Sequence, residues 1–289
     1  MPSRRSFLNQ SCFFLSLCSA RLLASCSGEA GISTSLKRQL LIGAVADGDQ
    51  IAPFQELEGY LEQELGVPID LETTPNELRA IAQIKQNAWH LIFASPGVAA
   101  IAIAEGYVPI FSLNSATHLS SVLVVRDDSA IKTLEDVNGA TLALGHRGSA
   151  TAYFVPLWNL YGITLNKIVF ANANTALTWL EQSIVDVAAM SQAELEAYRK
   201  RSQISVRVIS IDRRQQVPAG SVVISPDIDQ NQQILLEKAM KQAHPNLIQG
   251  TGYVPNAPIP QYEEWIAFIN QLQRIEGRIR EDISPVPLY

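Results

Sequence analysis

Past Cys26 the chain contains no cysteine. Its three cysteines, Cys12, Cys18 and Cys26, all fall in the first tenth of the 289 residues. The remainder can form no disulfide and offers no thiolate to zinc, which excludes a cysteine-stapled scaffold and a Cys-based metal site. Charge is also scarce, at 17% against roughly 25% in an average soluble domain. Acids outnumber bases 28 to 22, for a net charge of −6. That argues against nucleic-acid binding, which needs a basic face. No uninterrupted apolar run is long enough to span a membrane. Leu91 to Phe111 comes nearest, but Pro96, Gly97, Gly106 and Pro109 punctuate it, so it predicts strand, helix and strand. The four histidines, His90, His118, His146 and His244, show no ligand spacing. His-Glu-x-x-His, Gly-x-Ser-x-Gly, a Walker loop and a dinucleotide fingerprint are all missing. Neither a metal nor a cofactor is expected, and no catalytic set stands out.

Apolar residues, by contrast, are plentiful at 47%. A chain this long and this apolar buries a sizeable core, and its length favours two domains. The first thirty residues have the layout of an export signal. Arg4-Arg5 precede Phe7-Leu8, a mostly apolar stretch runs from Cys12 to Ala24, and small residues follow. The arginine pair resembles a twin-arginine signal. Leu23-Ala24-Ser25-Cys26 resembles a bacterial lipobox, in which the chain is cut before the cysteine and the thiol carries lipid. The reading is a signal peptide over 1–25, lipidation at Cys26, and a small polar tether over 26–36. Cleavage removes three arginines and no acid, so the mature chain is more acidic still.

The mature chain alternates strand and helix in two series. The first predicts strands at 39–45, 67–71, 89–93, 108–113 and 120–126. Its helices fall at 51–65, 77–87 and 97–105, with Gly66 at a C-cap. The pattern restarts with a strand at 141–144, then a Gly-containing loop and a helix broken near Pro156. Further strands fall at 168–170, 185–189, 206–211 and 221–224, with helices at 175–182, 192–199, 230–243 and 261–278. Such alternation means α/β layers with largely parallel sheets. The segment after Ser221 is too small to stand alone and is assigned back to the first lobe. The reading is therefore a first lobe over 37–126, a second over 127–217, and a return over 218–289, joined by chain crossings near Arg126 and Pro218.

The strongest chemical signal is Gly145-His146-Arg147-Gly148-Ser149-Ala150-Thr151-Ala152-Tyr153. A strand enters a Gly-rich turn, and small hydroxyl residues open a helix. Ser149 is a good N-cap. The free N–H groups and dipole of a first turn attract an anion. Gly148, Ala150 and Ala152 are small enough to let an oxyanion reach the backbone, and Ser149 and Thr151 add hydroxyls. Arg147 either adds charge or faces water. Ser95-Pro96-Gly97, between a buried strand and a helix, is the second anion candidate. Asn172 and Asn174 either cap the following helix or meet ligand. Asp47 to Gln50 ends the first strand, where open α/β sheets bind ligands. Asp212-Arg213-Arg214 and Arg199-Lys200-Arg201 read as solvated charge runs.

On these residues the chain resembles the PhnD-like substrate-binding proteins of phosphonate, phosphite and phosphate ABC importers. The similarity is carried by Leu61-Glu-Gln-Glu-Leu-Gly66 after Tyr60, and by Ser121 to Ser129 with Leu134-Glu-Asp136-Val-Asn-Gly139. It continues through Gly148-Ser-Ala-Thr-Ala-Tyr153, Val185-Asp186-Val-Ala-Ala189 and Val217-Pro218-Ala-Gly220-Ser221. The family's third-strand aspartate is replaced here by Trp89-His90, and the tyrosine after its Gly-Pro turn is missing from Ser95 to Ala99. The resemblance implies a type II two-lobed periplasmic-binding-protein fold, each lobe a mostly parallel sheet flanked by helices, with hinge crossings. It implies no enzyme activity and no cofactor. Its partners would be a small tetrahedral oxyanion, an ABC permease and, through Cys26, the membrane; the protein would act as a monomer on the extracytoplasmic face. The ligand contacts it implies are Ser149 and Thr151 with the amides of Ala150 and Ala152, in the loop that runs on to Tyr153; the residues themselves add Ser95, Asn174 and Gln50 as candidates. Alternatives are a sulfonate or thiamine-precursor binding protein, a ligand sensor, and an enzyme on the same fold.

Overall fold

The computed structural model describes residues 39–289, apart from 47, 115–118, 203–204, 210, 212–215 and 280–283, and apart from the Asp49 side chain. The export signal, Cys26, the whole of the tether, Asp47, His118 and the Asp212-Arg213-Arg214 run lie outside the described residues. No helix among the described residues is long and apolar enough to cross a membrane.

The first series opens with strand β1 (Leu40–Val45). Helix α1 (Ala52–Leu65) buries Leu57 and Leu61, and Gly66 ends it at φ 64° with its N–H donated to Glu62 O. Strand β2 (Ile69–Thr74) leads to α2 (Glu77–Lys85), where Asn76 Oδ1 accepts from Arg79 N at 3.1 Å. The segment Leu91 to Phe111 folds as expected: β3 (Leu91–Ala94), α3 (Pro96–Ala104), then β4 (Val108–Leu113). Strand β5 (Ser121–Arg126) begins the second series, with β6 (Thr141–Leu144), a π-helical turn (Ala150–Phe154) and α4 (Val155–Asn159). Next come β7 (Thr164–Leu165), β8 (Lys167–Phe170), α5 (Ala173–Glu181), β9 (Val187–Ser191), α6 (Gln192–Arg199) and β10 (Val206–Ile209). The chain closes with β11 (Ser221–Ile224), α7 (Gln230–Gln242), α8 (Pro245–Thr251), β12 (Tyr253–Val254), α9 (Glu263–Glu276) and β13 (Val286–Pro287).

Two principal sheets result, ordered β12-β4-β11-β3-β1-β2 and β10-β5-β9-β6-β8. The expected largely parallel sheets are mixed instead. β2-β1-β3 and β8-β6-β9 are parallel, but β11 runs antiparallel between β3 and β4, and β5 antiparallel between β9 and β10. The cause is the crossing itself. β4 and β10 run out of their sheets, and the next strand enters the other sheet from that same end, so β5 and β11 run against their neighbours. The first crossing also differs from the sequence reading. β5 belongs to the second sheet, so the chain passes between Leu113 and Ser121 rather than at Arg126. The second passage falls between Ile209 and Ser221, where Tyr262 Oη donates to Ala219 O at 2.6 Å and lies 2.9 Å from Ser221 Oγ.

The tail is shared between the lobes rather than returned wholly to the first. β11 and β12 join the first sheet and α7 and α8 pack on α1, but α9 packs on both α3 and α4. β13 then pairs with β7 of the second series. An apolar stripe of Trp265, Phe268, Ile269, Leu272 and Ile275 drives this placement of α9.

One apolar cluster runs through the helices between the sheets, from Ile81, Val98 and Ile101 through Phe154 and Leu157 to Phe268 and Leu272. Separate clusters fill the outer faces, under α1 and α7 on one side and under α5 and α6 on the other. Trp89 is fully buried over Gly43, and its indole N–H donates to Glu72 Oε2 at 2.9 Å. Truncating such a residue costs about 3–5 kcal/mol. His90 Nδ1 accepts from Leu41 N at 2.9 Å, while His90 N donates to Leu41 O at 2.8 Å. The Trp89-His90 pair is thus spent on fixing β3 against β1.

Candidate functional site

The Gly145–Ser149 loop owes its shape to Pro156. With no N–H, Pro156 cannot bond Ala152 O as an α-helix requires. The chain widens upstream of it: Phe154 N donates to Ser149 O and Val155 N to Ala150 O, a five-residue step. Two carbonyls are released by this change. Ala152 O accepts from Gly145 N at 2.9 Å, which draws the start of the loop beneath the turn. Thr151 O accepts from Ser121 Oγ at 2.5 Å, which ties the turn to β5. The break expected near Pro156 is this π-helical turn. Ser149 caps it, accepting from Ala152 N at 3.1 Å, with its own hydroxyl hydrogen still to donate.

Ser149 stands on a cleft of about 350 Å³. Its walls are the carboxyl ends of β1, β2, β6 and β8 and the helix starts that follow. Asn76 and Glu77 bring the N-terminus of α2 from the first sheet. Asn172 and Asn174 bring that of α5 from the second, with Asn172 Oδ1 accepting from Thr175 N at 2.9 Å. Glu194, in the capping box of α6, lies on the same wall. Several helix N-termini facing one cleft give it a positive field from neutral N–H groups, which suits an oxyanion.

Charged side chains refine that field. Arg201 reaches the cleft and donates to Asn174 Oδ1 at 3.2 Å. His146 lines it and stacks on Phe170, ring centroids 6.4 Å apart. Glu77 faces them. Burial holds its carboxyl above the ordinary 4.5; its own backbone hydrogen bond works the other way, and the Glu194 charge adds to the rise.

Of the residues singled out from sequence, Ser149, Ala152, Asn174 and Gln50 line this cleft. Ala150, Thr151 and Tyr153 do not: the widened turn rotates their side chains into the core, where all three are buried. Tyr153 meets Phe154 edge-on, with centroids 5.2 Å apart, and burial followed by the Glu276 charge raises its hydroxyl pKa. Ser95 is also off the cleft, its buried hydroxyl without a hydrogen-bond partner. Arg147 neither meets the cleft nor faces water alone; it pairs with Glu276 at 2.7 Å. Sequence reasoning missed Arg201, hidden in what reads as a solvated charge run, and Glu77 and Glu194, which read as ordinary first-turn acids. The one sequence signal for the two acids is position, since each opens a helix that follows a predicted strand; Arg201, beyond the end of α6, carries none.

Two α/β lobes with mixed sheets, meeting at the carboxyl ends of their parallel strands, define a two-lobed periplasmic binding protein fold. Residues 45–260 match the family described as ABC transporter, phosphonate, periplasmic substrate-binding protein. The chain belongs to that family, whose members are binding components of transporters and not enzymes. A binding protein component of an ABC phosphonate transporter from Pseudomonas aeruginosa superposes at a TM-score of 0.63 and 15% identity, covering 83% of this chain and 87% of that one. PhnD1 from Prochlorococcus marinus, solved with methylphosphonate, gives 0.65 and 15% over 84% and 99%. A Xanthomonas citri protein solved bound to ATP gives 0.65 and 18% over 81% and 98%. No curated protein sequence matches the chain significantly.

Proposed function

We propose that the protein captures a small tetrahedral oxyanion, a phosphonate, phosphite or phosphate, in the cleft between its lobes and presents it to an ABC permease. The observation that carries this reading is the convergence of the α2 and α5 N-termini with Ser149 and Arg201 on one cleft. Within this class, Glu77 and Glu194 on the same walls favour a ligand that also bears an ammonium group, such as an aminoalkylphosphonate. The match to the phosphonate family and the likeness to a methylphosphonate-bound structure support the same class. Competition native mass spectrometry tests it, with an equimolar mixture of phosphate, phosphite, methylphosphonate, aminoethylphosphonate and a sulfonate. The protein should retain one phosphorus oxyanion. Retention of the sulfonate alone, or of none, overturns the reading.

Export and lipid anchoring at Cys26 belong to the same proposal. Each acyl CH₂ entering a bilayer contributes about 0.8 kcal/mol, so several chains on one thiol tether the protein firmly. Cys26→Ala should move the protein from the membrane fraction to the soluble one. A variant that still pellets with membranes removes the anchor from the account.

A further inference from the structure

Two glycines from opposite lobes meet beside the cleft. Gly97 lies in the first turn of α3 on the first sheet's side, and Gly148 lies in the loop after β6 on the second. A Cβ on Gly97 would stand 2.1 Å from Gly148 O and 3.1 Å from the Phe154 ring. A Cβ on Gly148 would stand 2.7 Å from Glu77 Cβ and 2.8 Å from Ile81 Cδ1. Gly148 also has φ 110°, a conformation that side chains resist. The loop therefore wedges between α2 and α3 only because neither position carries a side chain. The contact continues the apolar cluster through Ile81, Val98 and Phe154.

We propose that the Gly97–Gly148 contact is the seat on which the lobes close, and that it positions Ser149 over the ligand. This rests on the binding-protein reading. Gly148 precedes Ser149 directly, and Glu77, which flanks Gly148, is itself a cleft residue. Closure and assembly of the site are thus one movement. In Gly97→Ala the loop must withdraw from 2.1 Å to at least an ordinary 3.4 Å contact. The obstacle is backbone, so no rotamer change relieves it, and Ser149 retreats with the loop.

The test compares wild type, Gly97→Ala and, as a helix-alanine control with open space around it, Gly59→Ala. Hydrogen exchange on the ligand-free proteins should show protection of residues 97–101 and 149–154 in wild type and Gly59→Ala, and its loss in Gly97→Ala. With methylphosphonate or aminoethylphosphonate, Gly97→Ala should dissociate about tenfold faster at a similar association rate. Wild-type protection and affinity in Gly97→Ala overturn the proposal. So does a Gly97→Ala that fails to fold, because the contact would then serve folding and not closure. If wild type binds neither phosphonate, the functional reading fails, while the ligand-free exchange comparison still decides the contact.

Discussion

Arg147 and Glu276, 129 residues apart, are joined by two hydrogen bonds, 2.7 Å from Nε to Oε1 and 3.2 Å from Nη2 to Oε2. The pair ties the loop that ends in Ser149 to the helix α9 that packs on both lobes. Glu276 is 11% exposed and Arg147 31%, so water screens the pair only in part. Removing one partner should cost about 1–3 kcal/mol. Urea unfolding of Glu276→Ala, Arg147→Ala and the double variant should show a coupling, the double losing clearly less than the sum of the singles. Additive losses would mean that the two side chains do not hold the loop together.

Ser149 and Thr151 part company in the widened turn. Ser149→Ala should weaken oxyanion binding about tenfold or more and also lose the cap, worth about 1 kcal/mol. Thr151→Val should leave affinity unchanged, because its side chain is buried off the cleft. Isothermal titration of both variants distinguishes them. A large loss in Thr151→Val would return that hydroxyl to the site and contradict the turn geometry.

Among the described residues, Arg201 is the Lys or Arg that lines the cleft. Arg201→Gln should weaken oxyanion binding by about 1.5–3 kcal/mol, the range for hydrogen bonds to charged groups. It should also flatten the dependence of affinity on salt. Titrations at low and high ionic strength check both. An unchanged salt dependence would place Arg201 in bulk solvent.

Glu77 sets a pH dependence of known sign. Its folded pKa is raised above 4.5, chiefly by burial, so the native state holds the proton more tightly than the unfolded chain. The resulting stability is present below 4.5 and is lost as pH rises through the raised value. Glu77→Gln should remove that loss, making the variant the more stable of the two at neutral pH. It should bind inorganic phosphate more tightly, with one fewer negative charge facing the anion. Thermal unfolding from pH 4 to 7 measures the first effect, and titration with phosphate the second. A variant less stable at pH 7 would show that the ionised carboxylate is held favourably.

Ser95 gives the simplest contrast. Its hydroxyl is buried without a partner, and replacing such a group with an apolar one is near neutral or stabilising. Ser95→Ala should match or exceed wild-type Tm and keep wild-type affinity. Weakened binding would mean that the hydroxyl turns to meet ligand at the α3 N-terminus.

Local signals were the legible ones. Gly66 ends α1 because a left-handed residue there needs no partner beyond its own helix, and Ser149 caps because its acceptor reaches only three residues ahead. Pro156 marked the break in the turn, since a missing N–H is a property of one residue. What sequence hid was decided by distant partners. β5 reads the same in either sheet, and only its pairing with β9 and β10 assigns it. The burial of Tyr153 and Thr151 follows from where Ala152 O and Thr151 O find donors, at Gly145 and Ser121. Arg201 looks like its neighbours Arg199 and Lys200 until α6 is set against α5. The role of Gly97 appears only when Gly148 arrives from the other lobe.

A phosphorus oxyanion bound in this cleft is the central expectation for the protein. Isothermal titration of the folded protein with phosphate, phosphite, methylphosphonate and aminoethylphosphonate, with an alkanesulfonate as control, measures that directly. Saturable one-to-one binding of at least one phosphorus oxyanion, tighter than the sulfonate and weakened in Ser149→Ala and Arg201→Gln, is the predicted result. No heat with any of the four, or tighter binding of the sulfonate, would contradict it.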